Sequence, residues 1–205
     1  MNKIKHFAPL ILLLSAYSCQ SFFMHMTGIK QPHPVTNGEI LASAKDFGIE
    51  LENIYKIDTL AYKHYADSIR KGDSLTFKNI MQPLQIKFFP SDKNISFYLV
   101  NCSVGGLPNL KWNRLHSFNT YPPSMFYFNE INYRKTLSSD TLFYIPLKRG
   151  LVNEKPEATV VVFWSRMMGK QSRILIQEAL HYRERFKDHL INLLFVNNDN
   201  LYQQE

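Results

Sequence analysis

The sequence predicts an α/β fold, and three observations predict it. Residues 84–89 and 95–100 alternate apolar and polar side chains at period two on either side of Pro90-Ser91-Asp92-Lys93-Asn94, the pattern of a β-hairpin. Residues 159–164 and 190–196 are unbroken apolar runs that enclose a helix-like stretch, 171–189. A strand, a helix and a second strand in that order make a βαβ unit with parallel strands, right-handed by rule. Upstream, residues 39–47 and 59–70 repeat their apolar positions at helical spacing.

The totals suit one globular domain with a tethered leader. The chain has 205 residues, 45% hydrophobic and 20% charged, with 15 Phe and 11 Tyr. The formal net charge is +7 and falls to +5 without Lys3 and Lys5. No basic run is long enough to track a phosphate backbone, so nucleic acid is not expected as a partner.

Residues 1–18 read as an export signal. Lys3, Lys5 and His6 are positive, residues 7–14 are apolar apart from the break at Pro9, and Ser15, Ala16 and Ser18 are small. The apolar run is far short of the ~20 residues of a membrane-spanning helix. Ser15-Ala16-Tyr17-Ser18-Cys19 resembles the lipobox of bacterial lipoproteins, over this segment alone. It departs from that pattern at Ala16, where Leu is usual, and at Tyr17, where a small residue is usual. The resemblance implies that residues 1–18 are removed and that Cys19 becomes the first mature residue and carries the acyl (palmitate-type) chains. It also implies that a lipid anchor holds the protein to a membrane of the cell envelope. Several acyl chains hold far more firmly than one. Gln20-Ser21 lacks an acidic cluster that would route the chain to the cell surface. A periplasm-facing position is therefore expected, at the outer membrane ahead of the inner. The alternative is a plain secretory signal, with Cys19 a bystander.

Residues 19–38, with His33 between Pro32 and Pro34, read as a tether, and residues 39–205 as one α/β domain. Within it, 39–80 is mostly helical: Asn37 suits the N-cap of 39–47, Gly48 ends that helix, 54–58 suits a short strand, and Lys71-Gly72-Asp73 closes the helix 59–70. Residues 84–147 hold the hairpin and a loop-rich region, broken at Tyr121-Pro122-Pro123, with further strands at 126–128 and 142–147. Residues 158–200 hold the βαβ unit.

Within that unit, Val161-Val162-Phe163-Trp164-Ser165-Arg166-Met167-Met168-Gly169-Lys170-Gln171 resembles the strand and active-site turn of the thioredoxin-like superfamily. In that family an aromatic pair precedes a Cys-Gly-Pro-Cys turn that begins a helix. Phe163 and Trp164 match the pair and Gly169 the glycine. Met168 and Gln171 stand at the two cysteines, and Lys170 replaces the proline. Over about forty residues the match implies a thioredoxin-like mixed sheet flanked by helices. It also implies loss of redox activity, because disulfide exchange needs a thiolate and a resolving thiol. The family has further strands and a cis-proline loop after this unit, for which the chain has no room. Pro122-Pro123 and the residues after it resemble that loop but lie upstream, so the expectation is a half-domain, or a rearranged sheet that returns 122–128 to the helix.

Other candidates are weaker. Cys102 is the one thiol left if Cys19 is lipidated. It suits a buried core thiol or a single-cysteine redox nucleophile, and a Cys19–Cys102 disulfide if the lipobox reading fails. Trp112, with Asn109 and Asn113, suits a peptide- or glycan-binding face or simply the core. Arg166, Lys170 and Arg173 flank a helix N-terminus that could hold an anion. The seven histidines show no metal-ligand spacing, no catalytic triad motif occurs, and no cofactor is expected. Asp58-Thr59-Leu60, Asp67-Ser68-Ile69, Asp73-Ser74-Leu75 and Asp140-Thr141-Leu142 resemble an O-glycosylation acceptor of some Gram-negative bacteria, and equally suit helix capping. The functional expectation is a lipid-anchored, non-catalytic binding or assembly protein whose partner is an envelope protein, a peptide or a glycan. A thiol enzyme using Cys102 is the alternative.

Overall fold

The computed structural model describes residues 29–49, 53–91, 97–100, 112–113, 116–124, 143–148 and 155–203. The signal, Cys19, Cys102, Gly105-Gly106, the strand expected at 126–128 and Asp140-Thr141-Leu142 lie outside them. Helix α1 (Asn37–Asp46) leads into strand β1 (Ile54–Ile57), then α2 (Thr59–Arg70) and α3 (Ser74–Ile80). The hairpin β2 (Gln85–Pro90) and β3 (Phe97–Val100) follows, then β4 (Tyr144–Lys148), β5 (Ala158–Trp164), α4 (Gly169–Arg185) and β6 (Ile191–Asn197).

The helices start where side-chain oxygens satisfy their free amides. At α1 the cap is Thr36 and not Asn37, because Thr36 and Glu39 close a reciprocal capping box that Asn37 cannot form. Asn37 instead accepts the Lys56 ammonium at 3.1 Å. Asp58 caps α2. Asp73, expected to close a unit, opens α3 by accepting from the Thr76 amide at 2.9 Å. Helix α4 stops at Arg185, four residues before the expected end, because Phe186 leaves helical geometry at φ −110° and ψ 39°.

The six strands run in the order β3-β2-β5-β6-β1-β4. β5, β6 and β1 are mutually parallel. β2 runs antiparallel to β5, β3 antiparallel to β2, and β4 antiparallel to β1. The α/β class is therefore that of a mixed sheet, with helices on both faces. The hairpin β2–β3, upstream in the chain, lies against β5, so the β5–α4–β6 unit is flanked by further strands on both sides.

Alternate residues of β5 sort the two faces. Ala158, Val160, Val162 and Trp164 pack with Ile40 and Ala44 of α1 and Leu175, Ile176, Ala179 and Tyr182 of α4. Val161 and Phe163 face Tyr62 of α2, and the same layer continues through Ala66 and Ile80 to Tyr98 and Val100. With both faces covered, polar residues of β2 are enclosed too. Gln85 and Lys87 are fully buried, and the Lys87 ammonium stands 4.7 Å from the centre of the Phe163 ring and 5.4 Å from that of Tyr98.

The peptide bond before Pro122 is cis. The segment before Pro122 lies against the last turn of α4, where Tyr182 donates to the Thr120 carbonyl and Arg185 to the Phe118 carbonyl, at the end of the helix away from the turn that follows β5. Tyr121 itself stacks on His189 at 3.7 Å and lies against Phe186, past the far end of α4.

Candidate functional site

The parallel strands β5 and β6 end side by side, Trp164 level with Asn197. The carboxyl ends of such strands are where open α/β sheets place ligands. After β5 the chain makes a one-turn 3-10 helix, Arg166–Met168, and enters α4 at Gly169. Gly169 has φ 41° and ψ −111°, a conformation open to glycine alone.

Asp199, 4% exposed, organises this end of the sheet. Its carboxylate accepts the Ser165 hydroxyl at 2.5 Å, the Arg166 amide at 2.9 and 3.1 Å and the Asn197 side-chain amide at 2.9 Å. Ser172, the fourth residue of α4, donates its hydroxyl to the Ser165 carbonyl and accepts from the Ser165 amide. The turn is thereby fastened to both the strand and the helix. Tyr202 closes the rear of the group, accepting from Asn198 and donating to the Met81 carbonyl. Its burial, with the Asp199 charge nearby, pushes the phenol well above its ordinary range.

The segment 29–36, expected as a tether, crosses this turn. The Lys30 amide donates to the Met167 carbonyl at 2.7 Å, and the Asn200 side chain holds both the amide and the carbonyl of Val35. Arg166 pairs with Glu39 at 3.3 Å. The Thr36 amide and hydroxyl, and then Arg166, hold the Glu39 carboxyl below its usual range. Between segment and turn remains a recess of about 20 Å³ lined by Lys30, Gln31, His33, Arg166, Met167 and Asp199. It has room for about one water and not for an organic ligand.

The positions that resemble the motif are enclosed and carry no thiol. Met168 is 6% exposed and packs in the core, and Gln171 is 7% exposed with its carbonyl oxygen unpartnered. Trp164 is fully buried, edge-on to Phe47 at 5.6 Å. Ser165 is also fully buried and donates straight to a carboxylate, with no imidazole between them, so its hydroxyl is fixed in place and not activated. Of the three cations expected around the helix start, Arg166 turns to Glu39, Arg173 lies over the Phe47 ring at 5.6 Å, and Lys170 is exposed.

Trp112 is 2% exposed in the core shared by α1 and α4, so its ring offers no open platform, and Asn113 caps the nearby turn through the Phe118 amide. Strand β3 ends at Val100, level with Gln85, which pairs in turn with Phe163. The chain therefore leaves β3 two residues before Cys102 at the same end of the sheet as the 165–169 turn. Sequence reasoning missed Ser165, Asp199 and Asn200. The available signal was Asn197-Asn198-Asp199 directly after a buried strand, where short polar side chains can only reach the neighbouring strand end.

Among the described residues no helix is long and apolar enough to cross a membrane, and no group of three or more His, Cys, Asp and Glu side chains could hold a metal ion. No family model, no curated protein and no solved structure matches the chain.

Proposed function

We propose that this protein is a lipid-anchored envelope protein whose thioredoxin-like domain serves binding or assembly and not thiol chemistry. One observation carries the reading. The two motif positions hold Met168 and Gln171, both less than a tenth exposed, on a turn tied down by Ser165 and Asp199. A catalytic turn needs an exposed thiolate at the start of the helix, whereas this one is closed and crossed by segment 29–36. The strand order supports the resemblance. A parallel trio with an antiparallel hairpin beside β5 gives the turn the extra strands that the family places after the helix, here in a different chain order. The anchor rests on the lipobox-like ending at Cys19, and the partner is an envelope protein, a peptide or a glycan.

Two measurements test the reading. Full-length chain and a Cys19→Ala variant are fractionated from the same cells. The variant is expected to leave the envelope fraction almost completely, and unchanged fractionation overturns the anchor. The purified domain is then added to a dithiothreitol-driven reduction of a protein disulfide. An unchanged rate is expected, and acceleration overturns the redox-inactive reading.

The end of β3 favours one second reading, a single-thiol protein using Cys102, since β3 stops at the turn end of the sheet. Fast alkylation of Cys102 in the folded protein supports it, and labelling that requires denaturant removes it.

A further inference from the structure

We propose that the hydroxyls of Thr59 and Ser74 are acceptors for O-linked sugar, an inference that rests on export of the chain to the envelope. Both lie in Asp-Thr/Ser-Leu tripeptides, and the structure gives the two the same local form. The Asp carboxylate caps a helix, Asp58 accepting from the Ala61 amide at 3.1 Å and Asp73 from the Thr76 amide at 2.9 Å. The hydroxyl residue follows, and then comes a Leu that points into solvent.

Capping accounts for the Asp but not for the Leu. A hydrophobic staple joins the residue before the cap to the fourth helical residue, which here are Ile57 and Tyr62, so Leu60 takes no part. Leu60 is 68% exposed and Leu75 60%, two of the four large apolar side chains exposed among the described residues. An exposed Leu fixed beside an exposed or half-exposed hydroxyl and a charged carboxylate is a compact feature that a transferase can read on a folded surface.

The third described tripeptide, Asp67-Ser68-Ile69, is an internal control. It lies in the second half of α2, where the Ser68 hydroxyl donates to the Tyr65 carbonyl at 2.7 Å and Ile69 packs on the cluster of Ala66 and Ile80. Its apolar member is turned inward, so a transferase acting on the folded chain passes it by.

The chemistry is substitution at a sugar's anomeric carbon. The donor is a glycosyl phosphate or pyrophosphate ester presented by a separate transferase. The Thr or Ser oxygen forms the new C–O bond, the bond from the anomeric carbon to the phosphate oxygen breaks, and the phosphate leaves with that electron pair. The hydroxyl proton passes to a base of the transferase. Asp73 cannot supply that base, because both carboxylate oxygens are taken by Thr76, whose bonds hold the carboxyl below its usual range.

The test is peptide mapping by mass spectrometry of the full chain purified from the cells that naturally make it. Sugar increments are expected on the peptides carrying Thr59 and Ser74 and none on Ser68. Thr59→Val and Ser74→Ala each remove one increment. Asp58→Asn keeps the cap, since Asn caps as well as Asp, so the melting temperature stays while the sugar on Thr59 is lost. Unmodified peptides in chain that has lost residues 1–18 overturn the proposal, as does modification of Ser68 equal to that of the other two. If residues 1–18 are retained, export is what has failed. The same chain behind a proven export signal then decides, and bare Thr59 and Ser74 there overturn the acceptor assignment.

Discussion

Asp199 holds Ser165 at 2.5 Å across thirty-four residues of sequence, and through that bond the end of β6 fixes the turn that follows β5. Removing the carboxylate in Asp199→Ala strands the Ser165 hydroxyl, the Arg166 amide and the Asn197 side chain in a site 4% exposed or less around Ser165, Asn197 and Asp199. Each buried polar group left without a partner costs about 1–3 kcal/mol, so Asp199→Ala is expected to lower stability by about 3 kcal/mol or more in urea titration. Ser165→Ala removes that donor and also the acceptor of the Met167 amide, and is expected to cost about 1–2 kcal/mol. In the double variant the two effects should fall short of their sum, and strict additivity would argue against the bond.

Met168 gives the sharpest contrast between a scaffold and a site. An active-site cysteine at this position would be exposed and replaceable without loss of fold. Met168 is instead packed in the core with Trp164 and Leu175. Met168→Ala is expected to destabilise by about 2–4 kcal/mol, as truncation of a buried apolar side chain does. A shift of the denaturation midpoint close to zero would show that the side chain is not part of the core.

Much of this fold was legible in the sequence, for reasons that differ between elements. The β5–α4–β6 unit and the β2–β3 hairpin were readable because apolar periodicity is a local signal, and their register agrees with it. Lys87 was not readable as a buried residue. Period two places it on the polar face of β2, and only the docking of α2 and α3, a tertiary fact, encloses that face. Helix α3 falls in the stretch 39–80 expected to be mostly helical, but its own bounds were not drawn because seven residues carry little periodicity, although its cap, Asp73, was in view. The candidate turn was read from Trp164, Met168, Gly169 and Gln171, which lie within eight residues of one another. Asp199 and Asn200 act on residues more than thirty positions away, and no spacing rule reaches that far.

The far end of the sheet sets an acid limit on stability. The His189 imidazole donates to the Glu157 carboxylate at 2.7 Å and stacks on Tyr121. That contact, with the Leu190 amide, holds the Glu157 carboxyl below its usual range. A carboxyl depressed in the folded state stabilises the protein above its unfolded pKa and loses that contribution as pH falls through the folded one. Melting temperature is expected to drop as pH is taken below about 4.5. Glu157→Gln should flatten part of that drop, and an identical acid profile would remove Glu157 from the account.

The alkaline limit has the opposite sign. Burial raises the phenols of Tyr182 and Tyr202, with the charges of Tyr121 and Asp199 adding to it. A raised pKa favours the neutral folded form, so the contribution is complete below the unfolded value near 10 and declines as pH rises above it. Tyrosinate absorbance is expected to rise in two stages. Exposed phenols ionise first, and the buried Tyr182 with the partly buried Tyr202 ionise only together with loss of the folded circular-dichroism signal. A single titration with the fold intact would contradict the burial of these rings.

Gly169 tests whether the turn that follows β5 requires its glycine. At φ 41° and ψ −111° a Cβ meets the carbonyl crowding that excludes L-residues from this region. Gly169→Ala is expected to cost about 1–3 kcal/mol, the usual cost of a residue forced into such backbone. Gly72 supplies the comparison. It has no positive φ, and an added Cβ there comes no nearer than 4.0 Å to the Ile69 carbonyl. Gly72→Ala should be neutral or stabilise by up to about 1 kcal/mol through the unfolded chain. Equal effects at the two positions in parallel urea titrations would mean that the 165–169 turn is held by its hydrogen bonds alone and does not depend on the glycine.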